Sequence, residues 1–438
     1  MENRNTKAPL IPQGTYGQEG NGTGVGGERT MRREIKVPTP PFRRTRYGMA
    51  RWNLGRRWPE TTAEPGLAAA RAVMPEGSGS SASLPQYGEL PVTREGEEVQ
   101  EPHSWGQDET REGACVDPDA IWPCECHETG SEVDITCYGL ASSDMLDRAL
   151  IPEYKFNNMT KLTSMYSKLG HLHKDILHGK TFEVLELVSS SLVSVADGAF
   201  DGCRERLVRL GLTTNSLKTF PFKDLPLFPR LETLSLGGNE LETIDDLVGL
   251  PELPITVLYL GNNQISSLHP DVFVSVPRLS VLELNGNNLT SLPPEVFMPL
   301  NELQILYVYK NNFKHLATGT FWFSTPILRS LDVRNCHIET VGRDVFRGVD
   351  YSTKVDLGNN KFTSMLYDVF WPVLHNVSTR YGWLSVMRTR LECDCEIFWI
   401  IRNDNYMSHL LYPTCTNRTS FDDLDPLAMA DLCATGPK

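Results

Sequence analysis

The stretch Leu279-Ser280-Val281-Leu282-Glu283-Leu284-Asn285-Gly286-Asn287-Asn288-Leu289 decides the fold. Leu282 and Leu284 alternate with their neighbours at the two-residue period of a half-buried strand. Asn287 ends the alternation, with apolar residues eight, five and three positions before it and two after. The same arrangement surrounds Asn239, as Leu231, Leu234, Leu236 and Leu241. Equivalent positions fall at Ser190, Asn215, Asn239, Asn263, Asn287, Asn311, Cys336 and Asn360, at intervals of 25, 24, 24, 24, 24, 25 and 24 residues. A fixed period of this length marks a solenoid, in which each coil buries its apolar face only against its neighbours. Each coil should supply one short parallel strand. The Asn amide then turns inward to satisfy backbone groups left unpaired where the strand ends. Cys336 suits the same row because a small thiol tolerates burial. A degenerate leading coil is expected near Leu162 to Leu172. A trailing one covers Tyr381 to Leu391, keeping Leu384, Val386 and Leu391 but placing Thr389 on the ladder.

The outer half of the coil is equally regular. Phe200, Phe273, Phe297, Phe321, Phe346 and Phe370 each follow a ladder position by ten residues, and Leu225 fills that slot in the second coil. The pattern predicts an aromatic stack on the convex side. The coil between Leu241 and Pro251 lacks its Phe and should be thinner. With these residues in view, Leu289 to Leu300 resembles the extracellular leucine-rich repeat class, L-x-x-L-P-x-x-x-F-x-x-L. The resemblance covers about 250 residues. It implies an α/β fold: a curved parallel sheet of about 8–10 repeats of ~24 residues.

Eight of the ten cysteines flank the repeats, as Cys115, Cys124, Cys126 and Cys137 before them and Cys393, Cys395, Cys415 and Cys433 after them. A solenoid exposes its interior at two ends, so caps are a physical necessity. Small caps with little core of their own need covalent staples. A structural zinc site would be expected to use paired C-x2-C knuckles, which neither cluster has. Spacing alone leaves three disulfide connectivities for each set. The clusters resemble the cysteine-rich flanking units of extracellular leucine-rich repeat proteins. That resemblance implies Cys115–Cys126, Cys124–Cys137, Cys393–Cys415 and Cys395–Cys433. Cys203 and Cys336 lie about five repeats apart, roughly 24 Å at ordinary strand spacing, too far for a bond. Cys336 is read as buried and inert, and Cys203, in a connecting segment, as a candidate free thiol. The organisation expected is a leader over 1–114, a cap over 115–140, repeats over 141–390 and a second cap over 391–438.

Disulfides imply an oxidising, extracellular compartment. Sequons at Asn158, Asn288, Asn376 and Asn417 are consistent with it, and Asn288, next to a ladder residue, should face solvent. A secreted chain is expected to begin with a short apolar signal. The best stretch, Leu67 to Met74, is short and contains Arg71. Residues 1–114 are rich in Gly, Pro, Ser and Arg and read as disordered. Their charge is segregated, with twelve basic and five acidic residues over 1–60 against three basic and ten acidic over 61–114. The two halves cancel, so the net charge of −13 resides in the capped repeats. The leader is read as absent from the mature protein, or as standing in place of a true signal peptide through a wrong start assignment. Arg43, Arg44, Arg46 and Arg51 form a basic run whose bland reading, a solvated leader, is preferred over a nucleic-acid contact. No stretch of about 20 apolar residues that could cross a membrane is present, and with five residues after Cys433 no anchoring tail is expected.

Chemistry-bearing motifs are sparse. Gly179-Lys180-Thr181 matches only the end of a phosphate loop, since Lys174 stands where the first glycine is required. No nucleophile elbow, zinc helix or cofactor fingerprint occurs. His171 and His173 read as surface residues. The chain is therefore expected to bind rather than catalyse, without a cofactor. If Leu282 and Leu284 point inward, Val281, Glu283 and Asn285 point onto the concave face. The central row is then Glu186, Gly211, Ser235, Tyr259, Glu283, Tyr307, Asp332, Asp356 and Ser385, flanked by Tyr309, Lys310, Arg334, Lys354, Trp383 and Arg388. The row is bland at its start and becomes aromatic and charged from Tyr259 onward. Tyr, Trp and Arg are favoured interface anchors, so a protein partner is expected around Tyr259, Glu283, Tyr307, Tyr309, Asp332, Arg334 and Asp356.

The cap segment Trp122-Pro123-Cys124-Glu125-Cys126 and the stretch Phe182 to Phe220 resemble arthropod secreted proteins related to the non-catalytic subunit of shrimp Oplophorus-luciferin monooxygenase. That family implies a repeat subunit accompanying a separate small catalytic chain. The alternative is an innate-immune or cell-surface recognition ectodomain.

Overall fold

A computed structural model describes residues 113–435, so the reading of residues 1–114 as a disordered leader falls outside it except for Gly113 and Ala114. Thirteen strands form a single sheet. In chain order they are β1 Cys124–Thr129, β2 Glu132–Tyr138, β3 Asn158–Met165, β4 Thr181–Val188, β5 Arg209–Gly211, β6 Thr233–Ser235, β7 Val257–Tyr259, β8 Val281–Glu283, β9 Ile305–Tyr307, β10 Ser330–Asp332, β11 Lys354–Asp356, β12 Trp383–Ser385 and β13 Leu410–Leu411. β1 and β2 form an antiparallel hairpin, and every later pair is parallel. The strands are only about three residues long through the middle, each ending four residues before its ladder position, where the chain begins to turn away.

Register follows the period. Leu185, Leu210, Leu234, Leu258, Leu282, Leu306, Leu331, Val355 and Leu384 pair strand to strand as one buried column. The 25-residue interval between Asn311 and Cys336 leaves Leu306 opposite Leu331. The extra residue is therefore taken up in the outer arc and not in the strand, where a slip by one would turn every side chain over.

The ladder amides join adjacent coils. Asn287 Nδ2 donates to Leu260 O and Leu284 O, both at 3.0 Å, and its Oδ1 accepts from Ile265 N–H at 3.0 Å. Asn263 and Asn311 repeat the pattern one coil to either side. Cys336 substitutes with a thiol donating to Val308 O at 3.3 Å, and Thr389 ends the row by donating to Leu357 O at 3.4 Å. On the convex side Phe273, Phe297, Phe321 and Phe346 stack at 5.9–6.2 Å with nearly parallel rings. Gly249 fills the vacant slot, beside a 3-10 turn over Asp245–Leu247.

Four disulfides close the two ends: Cys115–Cys126, Cys124–Cys137, Cys393–Cys415 and Cys395–Cys433. Cys203 and Cys336 are free and buried, and burial pushes their thiols up to about 11 and about 12. Cys203 is thus a core thiol that accepts a hydrogen bond from Phe182 N–H, rather than an accessible one. Both should resist alkylation in the folded protein.

The amino-terminal junction is polar. Asp147, on the helix Ser143–Leu150, receives His173 Nε2 at 2.7 Å and His178 Nε2 at 2.8 Å. His173 is thereby a bridge from the first coil to the helix that precedes it, a role its sequence position did not disclose. The hydrogen bond to Asp147 raises its pKa above the usual imidazole value. A raised pKa in the folded state adds stability that is present below the unfolded value and lost as pH rises through the folded one. Acidification from pH 8 to pH 6 should therefore strengthen this junction. Replacing Asp147 with Asn should remove that pH dependence, read as the thermal midpoint at the two pH values. An unchanged pH slope in the variant would refute the bridge.

Candidate functional site

Side chains alternate along each strand, so the residue between two core leucines faces the concave side. Pairing places Glu186, Gly211, Ser235, Tyr259, Glu283, Tyr307, Asp332, Asp356 and Ser385 side by side in one row. Tyr309 and Arg334 stand two residues further along their chains and join this row at its carboxy-terminal half. The seven residues read as a candidate site thus come together on five adjacent strands and the turns that follow them.

The carboxylates fare differently. Arg334 holds Asp332 through its Nε at 2.9 Å and reaches Asp356 at 3.3 Å. Hydrogen bonding to Asp332 raises the Arg334 pKa still higher, so the guanidinium stays charged. Its plane lies 5.7 Å from the Tyr309 ring, a cation–π contact, and Lys310 Nζ lies 5.9 Å from the same ring. Asp332 is buried beneath this cluster. For Asp356 the loss of hydration outweighs the Gly358 N–H, Ser385 and Arg334, and its pKa is raised. Tyr307, Tyr309, Asp332, Arg334, Lys354, Asp356 and Trp383 rim a shallow depression of about 350 Å³.

Glu283 differs from the two aspartates. It sits between Tyr259 and Tyr307 in the row. Among the described residues no cation lies within ion-pair distance of it, whereas Glu186 is paired with Lys161 at 2.7 Å. Loss of hydration alone pushes Glu283 above the usual carboxylate range. Burial raises the hydroxyl pKa of Tyr259 and of Tyr309, and the charge of Glu283 adds to both. A half-buried acid flanked by two tyrosines is short of a positive partner.

One expectation needs correction. Asn285 is on the concave side but does not project from it: it is only 4% exposed and lies over Gly261, where its Oδ1 has no hydrogen-bond partner. Gly261 has no side chain to hold Asn285 off the sheet, so the amide collapses onto the backbone. The four sequon residues Asn158, Asn288, Asn376 and Asn417 are exposed, although Asn158 accepts a bond from Thr181 and Asn376 donates one to Val349 O. Among the described residues no cluster of three metal-ligating side chains occurs, and no helix is long and apolar enough to cross a membrane.

Comparison with known proteins gives the same architecture. Residues 254–313 match the family described as Leucine rich repeat, and residues 229–273 match Leucine Rich repeats (2 copies). The chain is 23% identical over 329 residues to the Oplophorus-luciferin 2-monooxygenase non-catalytic subunit of Oplophorus gracilirostris, covering 73% of this chain and 88% of that one. Among solved structures it is similar to a chain in "Octameric complex of Latrophilin 3 (Lec, Olf), Unc5D (Ig, Ig2, TSP1) and FLRT2 (LRR)", with TM-score 0.56, 18% identity and coverage of 69% of this chain and 97% of that chain. A chain in "Crystal structure of LRIM1/APL1C complex" aligns at TM-score 0.45 and 19% identity, over 61% of this chain and 47% of that chain.

Proposed function

This chain is a leucine-rich repeat protein, and from that premise we propose that it holds a protein partner against its concave sheet, with Glu283 at the centre of the contact. The observation that carries the reading is the desolvated carboxylate of Glu283, without an ion pair and set between Tyr259 and Tyr307. A partner that brings a Lys or Arg there would supply the missing charge in an already dry setting, where charge-assisted bonds are strong. Tyrosines on either side offer large apolar contact with little conformational freedom to lose. Tyr309, Arg334, Asp332 and Asp356 would then form a prearranged rim, already paired among themselves. Nine strands span roughly 40 Å, room for a standard interface of about 800 Å² per side.

Similarity to a subunit named non-catalytic supports a partner-holding role, in which an associated small chain would do any chemistry. The four disulfides and exposed sequons support a secreted protein. Affinity purification from native secretions, followed by mass spectrometry, identifies the partner. Tyr307→Ala should then weaken binding roughly 30-fold, the cost of losing one interface anchor. Glu283→Gln should weaken it and also flatten its pH dependence. Binding a cation favours the ionised acid, so wild-type affinity should rise with pH from the carboxylate range upward and level off above the raised pKa of Glu283. Unchanged affinity in both variants would move the site off this face.

A further inference from the structure

We infer that the carboxy-terminal coils carry a second binding surface, a cationic groove beside the sheet that takes a linear sulfated polysaccharide. Two adjoining depressions, of about 680 and 510 Å³, share Asn359, Asn360 and Lys361. Five cations line them: Lys310, Lys361, Arg388, Arg390 and Arg418. Among the described residues no Asp or Glu lines either depression, although the chain as a whole carries −13. Glu339, which is not a lining residue, lies 3.8 Å from Lys361. A run of five positive side chains on an acidic protein concentrates the potential in one place, where it attracts an extended anion.

Backbone conformation gives an independent reason. The residue before each ladder position is left-handed, at Ser189, Thr214, Gly238, Asn262, Gly286, Lys310, Asn335, Asn359 and Arg388, with φ between 49° and 68°. Glycine and asparagine adopt that conformation readily, so positions 238, 262, 286, 335 and 359 need no further account. Lys310 and Arg388 adopt it at a cost, and both line the groove. The left-handed turn fixes where these two side chains leave the backbone, at the wall of the groove. Lys310 and Arg388 stand three strand steps apart, about 14 Å along the solenoid. That spread suits a chain bearing charge at intervals better than a single small anion.

The rest of the lining selects among polyanions. Guanidinium forks and side-chain amides match the oxygens of sulfate groups. No Phe, Tyr or Trp lines the groove. Single-stranded nucleic acid is ordinarily held by stacking on such rings, so the saccharide is favoured.

The full-length protein is tested against a heparin octasaccharide, its chemically desulfated counterpart and an oligothymidylate of matched charge, at physiological salt. Heparin should bind with an affinity that falls steeply with salt, and the desulfated sugar should not compete. Arg388→Glu combined with Arg418→Glu should weaken heparin binding at least roughly tenfold. Lys310→Gly and Arg388→Gly serve as a second pair, because glycine relieves the left-handed backbone while removing the charge. These variants should melt no lower than wild type and still bind heparin more weakly, which separates loss of the groove from loss of fold. Heparin affinity unchanged in both sets of variants would overturn the assignment, as would tighter binding of the oligothymidylate or equal binding of the desulfated sugar. In the Arg388→Glu, Arg418→Glu variant, loss of heparin binding with concave-face binding intact would support a site separate from the one centred on Glu283.

Discussion

Asn287→Ala is expected to destabilise the capped repeats by about 2–4 kcal/mol, because it strands one buried backbone N–H and takes one of two donors from each of two buried carbonyls. Ile265 N–H loses its acceptor, while Leu260 O and Leu284 O lose one donor each and keep only Asn263 Nδ2 and Asn311 Nδ2. Asn287 is 6% exposed, so water cannot replace the amide without opening the coil. The loss falls on two coils, since Leu260 and Ile265 belong to the repeat before the one that carries Asn287. In a solenoid whose stability is carried by neighbour contacts, the damage should spread outward from this point. Chemical denaturation measures the free energy, and hydrogen exchange at Ile265 and in the adjacent strands shows its location. Asn287→Asp makes a sharper test. Its carboxylate would face two carbonyl oxygens, which repel it, so its pKa should rise in the folded state. A raised acid pKa means that stability is greatest at low pH and declines as pH climbs through the folded value. The Asp variant should therefore be less stable than the Ala variant at neutral pH and recover partly in acid. If both variants denature at the wild-type midpoint, the ladder does not hold the coils together.

Breaking Cys395–Cys433 is expected to have a comparable effect, confined to one end. The bond closes a loop with a sequence separation of 38 residues, and constraint of a loop that long is worth roughly 4 kcal/mol in the chain-entropy account. The helix Pro426–Thr435 has little else to hold it: Met429 is buried, while Leu427 is 77% exposed and Leu432 63% exposed. In the Cys395→Ser, Cys433→Ser double variant this helix should detach and uncover Ile397 and Ile400, both fully buried in the intact cap. Trp399, bonded through its indole N–H to Met365 O at 3.1 Å, should keep the remainder docked on the last coils. Limited proteolysis should cut the variant between Leu424 and Pro426 while its sheet signal by circular dichroism persists. Equal protease resistance in wild type and variant would show that the bond is dispensable.

The repeating part of this fold was open to reading because one physical requirement recurs at a fixed interval. Leucines must cover their neighbours and an amide must close each strand, so position 282 foretells 258 and 306. The tyrosine and carboxylate row followed from alternation alone. Features that arise between coils were harder to see. Asn285 lies flat because Gly261, a full repeat earlier, leaves the space. His173 and His178 meet Asp147 from about thirty residues away, with no periodic signal. Phe222, outside the regular phenylalanine slot, is buried against Phe220 in the second coil at 5.1 Å. The cation groove was legible in principle: reading down the column one residue before each ladder position finds Lys310 and Arg388 where smaller residues are usual. Arg418 was not, since it arrives from the cap by way of the Cys393–Cys415 bond.

The outer arc that absorbs the additional residue between Asn311 and Cys336 has a practical corollary. Length there is decoupled from the pairing of Tyr307 with Asp332, so the convex loops are natural insertion points for a grafted epitope or reporter. A tag placed there would lengthen the loop by whole residues and leave the opposite wall of the molecule unchanged, whereas the same insertion in Val281–Glu283 would scramble it.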